Sequence, residues 1–293
     1  MEINKTVPIL KIEQFDHKVS SHDFYSNTFE NHLKRNESII SKPHSHNFFL
    51  CVFFTEGTGI HEIDFNTYNI QPGSVFFLKP GQTHFWDFNS SPKGYIFFHT
   101  QGFYEFNFVN ASLSQFPFYF SIENPSILNL SDSMIAHFKY LFHQINEEHQ
   151  GDEVYKYQKL TSLIDQLYID LTRYYTSSIP VIRKTSKTYL KALENFHAAV
   201  EKHFRAEKSV QFYADQLNIT PKHLNRITKA TINKTSSDVI KERVLLEAKR
   251  MLVHSTHSLS SISELLGFEE YSYFSKTFKA NTGSTPFDFR KKY

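Results

Sequence analysis

Between Pro43 and about Phe108 the apolar residues come in short runs separated by turn residues. Phe48 to Phe54 is followed by a break at Glu56-Gly57-Thr58-Gly59, Val75 to Leu78 by a break at Pro80-Gly81, and Tyr95 to His99 closes the series. Runs of this length at this spacing predict the strands of an antiparallel barrel or sandwich. Gln71-Pro72-Gly73 and Lys79-Pro80-Gly81 bracket one strand. After Pro125 the apolar period lengthens to that of a helix. Ser131 or Asp132 can cap a helix carrying Met134, Ile135, Phe138, Leu141, Phe142 and Ile145, and Gly151 interrupts it. A second helix carries Tyr157, Leu160, Leu163, Ile164, Leu167 and Leu171 on one face, a stripe that suits packing on the barrel or a dimer seam.

Composition divides the chain at the same place. Residues 1 to 180 carry 12 Lys+Arg against 19 Asp+Glu, residues 181 to 293 carry 20 against 11, and the net charge of +2 hides that asymmetry. Of 30 Phe, 20 lie in the first 120 residues, so that half reads as sheet and the rest as helix. A chain of 293 residues is long for one core. Ser177 to Lys187, a Ser/Pro/basic stretch without apolar pattern, reads as a linker, which sets domains at 1–178 and 188–293 with 179–187 between them. The single cysteine, Cys51, rules out an intramolecular disulfide and a Cys-based zinc cluster. With no signal-like segment in Met1 to Lys11 and no apolar stretch long enough to span a bilayer, the expectation is a cytoplasmic protein without membrane contact.

The basic half contains an internal repeat. Leu224-Asn225-Arg226-Ile227-Thr228-Lys229-Ala230 aligns with Phe274-Ser275-Lys276-Thr277-Phe278-Lys279-Ala280 at an offset of fifty, with Asn233 on Gly283 and Ser236 on Pro286. Upstream, Ala214, Leu217, Asn218 and Ile219 align with Ser263, Leu266, Gly267 and Phe268 at forty-nine. Each copy has the plan of a helix-turn-helix: a small residue at the helix crossing, a tight turn, and a second helix with basic residues opposite its apolar ones. Ser209, Ser258 and Thr220-Pro221 supply helix starts, and Asn233 and Gly283 supply left-handed stops. Between the copies Ser236 to His254 reads as one helix with Val239, Ile240, Val244, Ala248, Met251 and Leu252 inward. It spans roughly 28 Å at ~1.5 Å per residue, close to the ~34 Å between successive major-groove faces of B-DNA.

From Lys191 to Arg290 the chain resembles the AraC/XylS family of bacterial regulators. The carriers are Gly267-Phe268, Tyr273-Phe274-Ser275-Lys276, Phe278-Lys279, Gly283, Thr285-Pro286 and Arg290, with Arg243, Ala248 and Leu252 in the linking helix. Thr228 departs from a usual Phe, Asn233 from a usual Gly, and Ser263 from a common Ala. The resemblance implies a sequence-specific transcription regulator bound to double-stranded promoter DNA. Lys222, Asn225, Arg226, Tyr271, Ser272, Ser275 and Lys276 would meet base edges, and Thr220, Lys229 and Lys279 phosphates. Arg can fork onto guanine and Asn onto adenine, so Arg226 and Asn225 are expected to discriminate bases more than Ser275 and Lys276.

Residues 40 to 110 resemble the cupin-type sensor barrel of such regulators through Pro43-His44-Ser45-His46, Gly57-Thr58-Gly59-Ile60-His61, and Pro72-Gly73 to Pro80-Gly81-Gln82-Thr83-His84. The fold expected is therefore a two-domain α+β chain: a cupin-like antiparallel barrel with two following helices, then an all-α domain of two helix-turn-helix units. Metal-binding cupins continue the first motif to a Glu, where this chain has Phe48, Phe49 and Leu50. No metal or cofactor is expected; the alternative set is His44, His46 and His84. Those histidines with Trp86 and Tyr95 form the expected effector pocket, a sugar being one candidate ligand. The implied partners are a second copy of the chain through helices 131–176 and RNA polymerase. Two alternatives remain, a metal-dependent cupin enzyme and an effector-independent DNA binder; neither an enzyme's missing Glu nor Cys51 in its apolar strand favours catalysis.

Overall fold

The computed structural model describes residues 7–15, 23–105, 113–120, 125–177 and 187–292. They fall into two compact units, residues 8–177 in the first and residues 187–292 with Val7 in the second. The expected linker at 179–187 lies outside the described residues except for Lys187, which opens a helix, and so does the end of the strand region near Phe108.

The first unit runs β1 (Ile9–Leu10), β2 (Phe24–Thr28), α1 (Phe29–Ile40), β3 (Ser45–His46), β4 (Phe49–Glu56), β5 (Gly59–Ile63), β6 (Asn66–Ile70), β7 (Ser74–Leu78), β8 (His84–Phe88) and β9 (Lys93–His99). It continues with α2 (Gln101–Glu105), α3 (Pro117–Phe120), β10 (Ile127–Asn129), α4 (Asp132–Gln150) and α5 (Lys156–Ser177). Strands β10-β7-β4-β9-β2 form one antiparallel sheet and β6-β5-β8 a second; β1 pairs with β3 in parallel.

Side-chain alternation assigns the two faces of the larger sheet. Leu50, Val52 and Phe54 of β4 and Ile96 and Phe98 of β9 enter the cluster between the sheets with Phe76 and Leu78. Phe53 and Phe97 point the other way, onto Phe142 of α4 at ring distances of 5.2 and 5.7 Å. Both faces are covered, which is why these strands read as continuous apolar runs. On α4, Phe138, Leu141, Phe142 and Ile145 are buried as their spacing predicts. On α5 the buried stripe is Leu160, Ile164, Leu167, Tyr168, Leu171 and Tyr175, while Tyr157, expected on that face, is exposed in the first turn. Helix α1 carries no apolar period because half of its buried face is polar: Phe29, His32, Asn36 and Ile40.

The second unit comprises α6 (Lys187–His203), α7 (Val210–Gln216), α8 (Pro221–Ile232), α9 (Ser236–His254), α10 (Leu259–Leu265), α11 (Tyr271–Thr282) and α12 (Pro286–Lys292). Helices α7–α8 and α10–α11 are the two helix-turn-helix copies, and α9 links them. Thr220 Oγ1 accepts the His223 amide at 3.2 Å and Ser258 Oγ accepts that of Ser261 at 3.1 Å; Ser209 stands at the N-cap without a side-chain bond. The turns repeat in backbone conformation as well as sequence. Asn218 and Gly267 are left-handed at φ of 53° and 71°, and the helix stops Asn233 and Gly283 at 57° and 80°.

The departure at Thr228 has a local explanation. Thr228 is fully buried, and its Oγ1 lies 3.2 Å from Ser236 Oγ and donates to Asn225 O at 3.2 Å. The aligned positions in the other copy are Phe278 and Pro286, both buried. One copy buries hydroxyls that satisfy each other at these positions, the other a ring and a proline.

Helix α9 is held at its centre by an arginine. Arg243 is 8 % exposed, its Nε donates to Glu201 of α6 at 2.8 Å, its Nη1 to Glu247 at 3.1 Å, and its guanidinium lies 3.9 Å from the Phe204 ring centre. Arg205 Nη2 donates to the other Glu247 oxygen at 2.6 Å. Burial pushes the Glu247 carboxyl up, and Arg243, Arg205 and Arg250 more than undo that, leaving it below the usual range. The same loop reaches the second copy: Lys208 Nζ donates to Arg205 O at 3.2 Å and to Gly267 O at 3.0 Å and lies 4.9 Å from the Phe268 ring centre.

Glu247→Ala leaves a buried guanidinium with half its partners and is expected to destabilise the second unit by about 3 kcal/mol, measured as the shift in urea unfolding. The two glycines should differ: a Cβ on Gly283 meets nothing within 4 Å, whereas on Gly267 it would lie 2.1 Å from Arg205 O. Gly283→Ala is expected to cost about 1 kcal/mol through its positive φ alone, and Gly267→Ala clearly more; equal losses would show that the loop yields freely.

Candidate nucleic-acid interface and sensor barrel

Helix α8 is amphipathic, with Leu224, Ile227 and Thr228 buried and Lys222, Arg226 and Lys229 exposed. Thr220, Lys222, Asn225, Arg226 and Lys229 line one open groove, together with His223, which sequence reasoning did not single out. The helix contains no carboxylate. Its two expected readers are engaged differently. Asn225 Oδ1 accepts the Ser236 amide at the start of α9 at 3.1 Å, so this side chain caps the linking helix. Arg226 is exposed, and its Nη2 donates to His223 Nδ1 at 2.6 Å. The ranking of Asn225 beside Arg226 therefore does not follow from the geometry: a fork onto adenine needs the oxygen that Asn225 has turned inward.

On α11, Ser272, Lys276 and Lys279 are exposed, Tyr271 and Ser275 are half-buried, and Phe274 and Phe278 anchor the helix. Exposed Glu269 and Glu270 precede it, so this reader presents less positive charge than α8. Tyr273, 64 % exposed, joins the outward face and was also missed; its alignment with His223 in the repeat was the available signal.

In the first unit His44, His46, His84 and Trp86 come together, and His61 of β5 joins them. Ring centres lie 4.4 Å apart for His44 and His84, 5.2 Å for His46 and His84, and 4.7 Å for His84 and Trp86. Main-chain carbonyls accept from Nδ1 of His44 (Lys42 O, 2.9 Å) and of His46 (Phe48 O, 2.8 Å). Each ring therefore carries its proton on Nδ1 and turns an Nε2 lone pair away from that carbonyl. His61 Nε2 and His84 Nδ1 share one proton across 3.0 Å. Among the described residues, buried His46 Nε2, His61 Nδ1, His84 Nε2 and Trp86 Nε1 find no hydrogen-bond partner. Among the described residues no three His, Cys, Asp or Glu side chains are placed to hold a metal ion. The cluster is read as hydrogen-bonding capacity, and buried capacity of this kind calls for a polar occupant.

Tyr95, grouped with these histidines from sequence, belongs elsewhere. Alternation on β9 turns it to the helix-covered face, where its hydroxyl lies 3.5 Å from His143 Nδ1. On that face Tyr168 of α5 donates to His99 Nε2 at 2.8 Å, since His99 Nδ1 gives its proton to Thr100 O, and Tyr119 Oη lies 3.0 Å from Tyr168 Oη. Cys51 is buried beside them, its thiol pushed up by burial.

Paired readers on one linking helix, with a separate barrel that offers unpaired polar groups, define a DNA-binding transcription regulator with a ligand-binding domain. The AraC-like ligand binding domain family matches residues 32–173, and the Helix-turn-helix domain family residues 213–292. The chain belongs to the AraC family of transcription regulators. It is 24% identical over 258 residues to the HTH-type transcriptional activator RhaS of Escherichia coli O1:K1 / APEC, covering 85% of this chain and 87% of that protein. It is also similar to solved ToxT from Vibrio cholerae, at 14% identity, 92% of this chain, 98% of that chain and a TM-score of 0.42. The C-terminal domain of the response regulator yesN from Fusobacterium nucleatum is similar over 34% of this chain and 98% of that chain, at 22% identity and a TM-score of 0.33. No described helix is long and apolar enough to cross a membrane.

Burial lowers His32 and His46 to about 3 and His99 to about 4, and moves His44, His61 and His84 the same way. The unfolded chain takes up protons near pH 6.5 while these folded rings stay neutral. Stability is thus complete above that pH and falls below it, by up to ~1.4 kcal/mol per pH unit for each ring. Thermal unfolding of the first unit should drop steeply between pH 7 and 5.5; a flat midpoint would mean that the rings protonate in place.

Proposed function

We propose that this chain is a homodimeric, effector-responsive transcription activator that reads promoter DNA mainly through α8. The observation that carries this reading is the carboxylate-free groove of α8, where Lys222 and Arg226 face outward between Thr220 and Lys229. Arg226 and Lys222 take base edges there, and Thr220 and Lys229 take phosphates, the first through a helix N-terminus that favours anions. Tyr271, Ser272, Ser275 and Lys276 serve the second half-site with Lys279 on phosphate, at lower discrimination because Glu269 and Glu270 stand beside them.

The effector enters the barrel and is held by His46, His61, His84 and Trp86. The buried residues of the sensor unit, among those described, include no Lys or Arg. An uncharged, hydroxyl-bearing molecule such as a sugar fits neutral imidazoles and an indole N–H better than a carboxylate would. Helices α4 and α5 supply the dimer contact through outward residues such as Tyr140 and Ile169. Activation is supported by the name of the E. coli relative, RNA polymerase being the partner it would act on, and a cytoplasmic setting is supported by the lone buried cysteine.

Selection of bound duplexes from a random pool, with and without candidate sugars, tests the reading. Arg226→Ala is expected to weaken specific binding by roughly 1–3 kcal/mol and to relax preference at one base pair. An unchanged profile would remove Arg226 from the interface, and a selected site indifferent to every effector and to loss of residues 1–180 would remove the sensor role.

A further inference from the structure

The geometry points to His223 as the residue that aims Arg226, and so sets specificity at one base pair without reading it. The inference rests on α8 being the base-reading helix. An arginine on an open helix face has many rotamers, and forking onto guanine requires a single plane and direction. His223 stands three residues before Arg226 on the same face. Its Nδ1 lies 2.6 Å from Arg226 Nη2, and a guanidinium can only donate, so the imidazole is the acceptor and carries its own proton on Nε2. One of five guanidinium N–H groups is used in this way, which leaves a fork free for a base.

The imidazole is itself fixed. Its ring meets Tyr189 of α6 edge-on at a centroid distance of 5.9 Å, its backbone amide is capped by Thr220, and the side chain is half-buried. Its neutrality matters as much as its position. A carboxylate in that place would hold Arg226 more tightly but would cancel charge in a groove where Lys222 and Lys229 are also exposed and whose positive field draws DNA. Imidazole orients the guanidinium and leaves the field of the groove intact. In the second copy the aligned pair is Tyr273 and Lys276, an ammonium on a flexible stem with no fork to aim.

The experiment compares sites selected from a random duplex pool by the full chain and by His223→Ala, His223→Asn, Arg226→Ala and the His223→Ala/Arg226→Ala double variant, together with the salt dependence of binding to the wild-type site. His223→Ala is expected to lose five- to tenfold preference at the base pair where Arg226→Ala loses it. The double variant should lose no more than Arg226→Ala, and the salt slope of His223→Ala should stay unchanged because no phosphate contact is removed. His223→Asn places an acceptor oxygen near the position of Nδ1 and should keep most of the preference. Wild-type selectivity in His223→Ala, a loss at a different base pair, or His223→Asn behaving like His223→Ala would each overturn the role. If the wild-type chain selects no sequence at all, the base-reading assignment of α8 falls and the inference with it; if only Arg226→Ala relaxes the site, the assignment stands and the inference alone fails.

Discussion

The second unit is organised around one buried cation. Arg243 sits at the middle of the linking helix, and a guanidinium with so little exposure is tolerated only when its donors are matched. Glu201 matches it from the preceding helix, Glu247 from the next turn of its own, and the Phe204 ring covers its face. Because Arg205 shares Glu247 and its carbonyl abuts Gly267, the first reader's entry loop, the linking helix and the second reader's turn are set by one set of contacts. The spacing of the readers thus depends on directional bonds rather than on helix length alone.

The first unit solves a different problem. Its larger sheet is apolar on both faces, so the polar groups that remain inside are conspicuous. On the barrel side four ring nitrogens are left unpaired, while on the helix side His99, Tyr168 and Tyr119 satisfy one another. The unpaired set can respond to an occupant. The paired set ties β9 to α5, because Tyr168 cannot move away from His99 without abandoning a buried bond.

Much of this was legible in the sequence. The repeat located both helix-turn-helix units and, at Asn233 and Gly283, their left-handed stops, because Asn and Gly are the residues that tolerate that backbone. The strands at Phe48, Val75 and Tyr95 followed from composition and turn signals. Helix α1 was not legible, since His32 and Asn36 occupy its buried face and break the apolar period. Tyr95 was assigned to the wrong face because strand alternation could not be anchored before the interior was known. Among the readers, sequence gives chemistry but not engagement: nothing in an Asn-Arg pair reveals that the amide faces α9 and the guanidinium His223.

The two copies also diverged in a way that limits how they can be recombined. Thr228 and Ser236 satisfy each other's hydroxyls at positions where the other copy has Phe278 and Pro286. A recognition helix transplanted from one copy to the other would carry a hydroxyl to a partner without one, or a phenyl ring into a space shaped for threonine. Retargeting this protein by exchanging its reading helices is thus a two-position graft, in which the first residue of the following helix travels with the helix that precedes it.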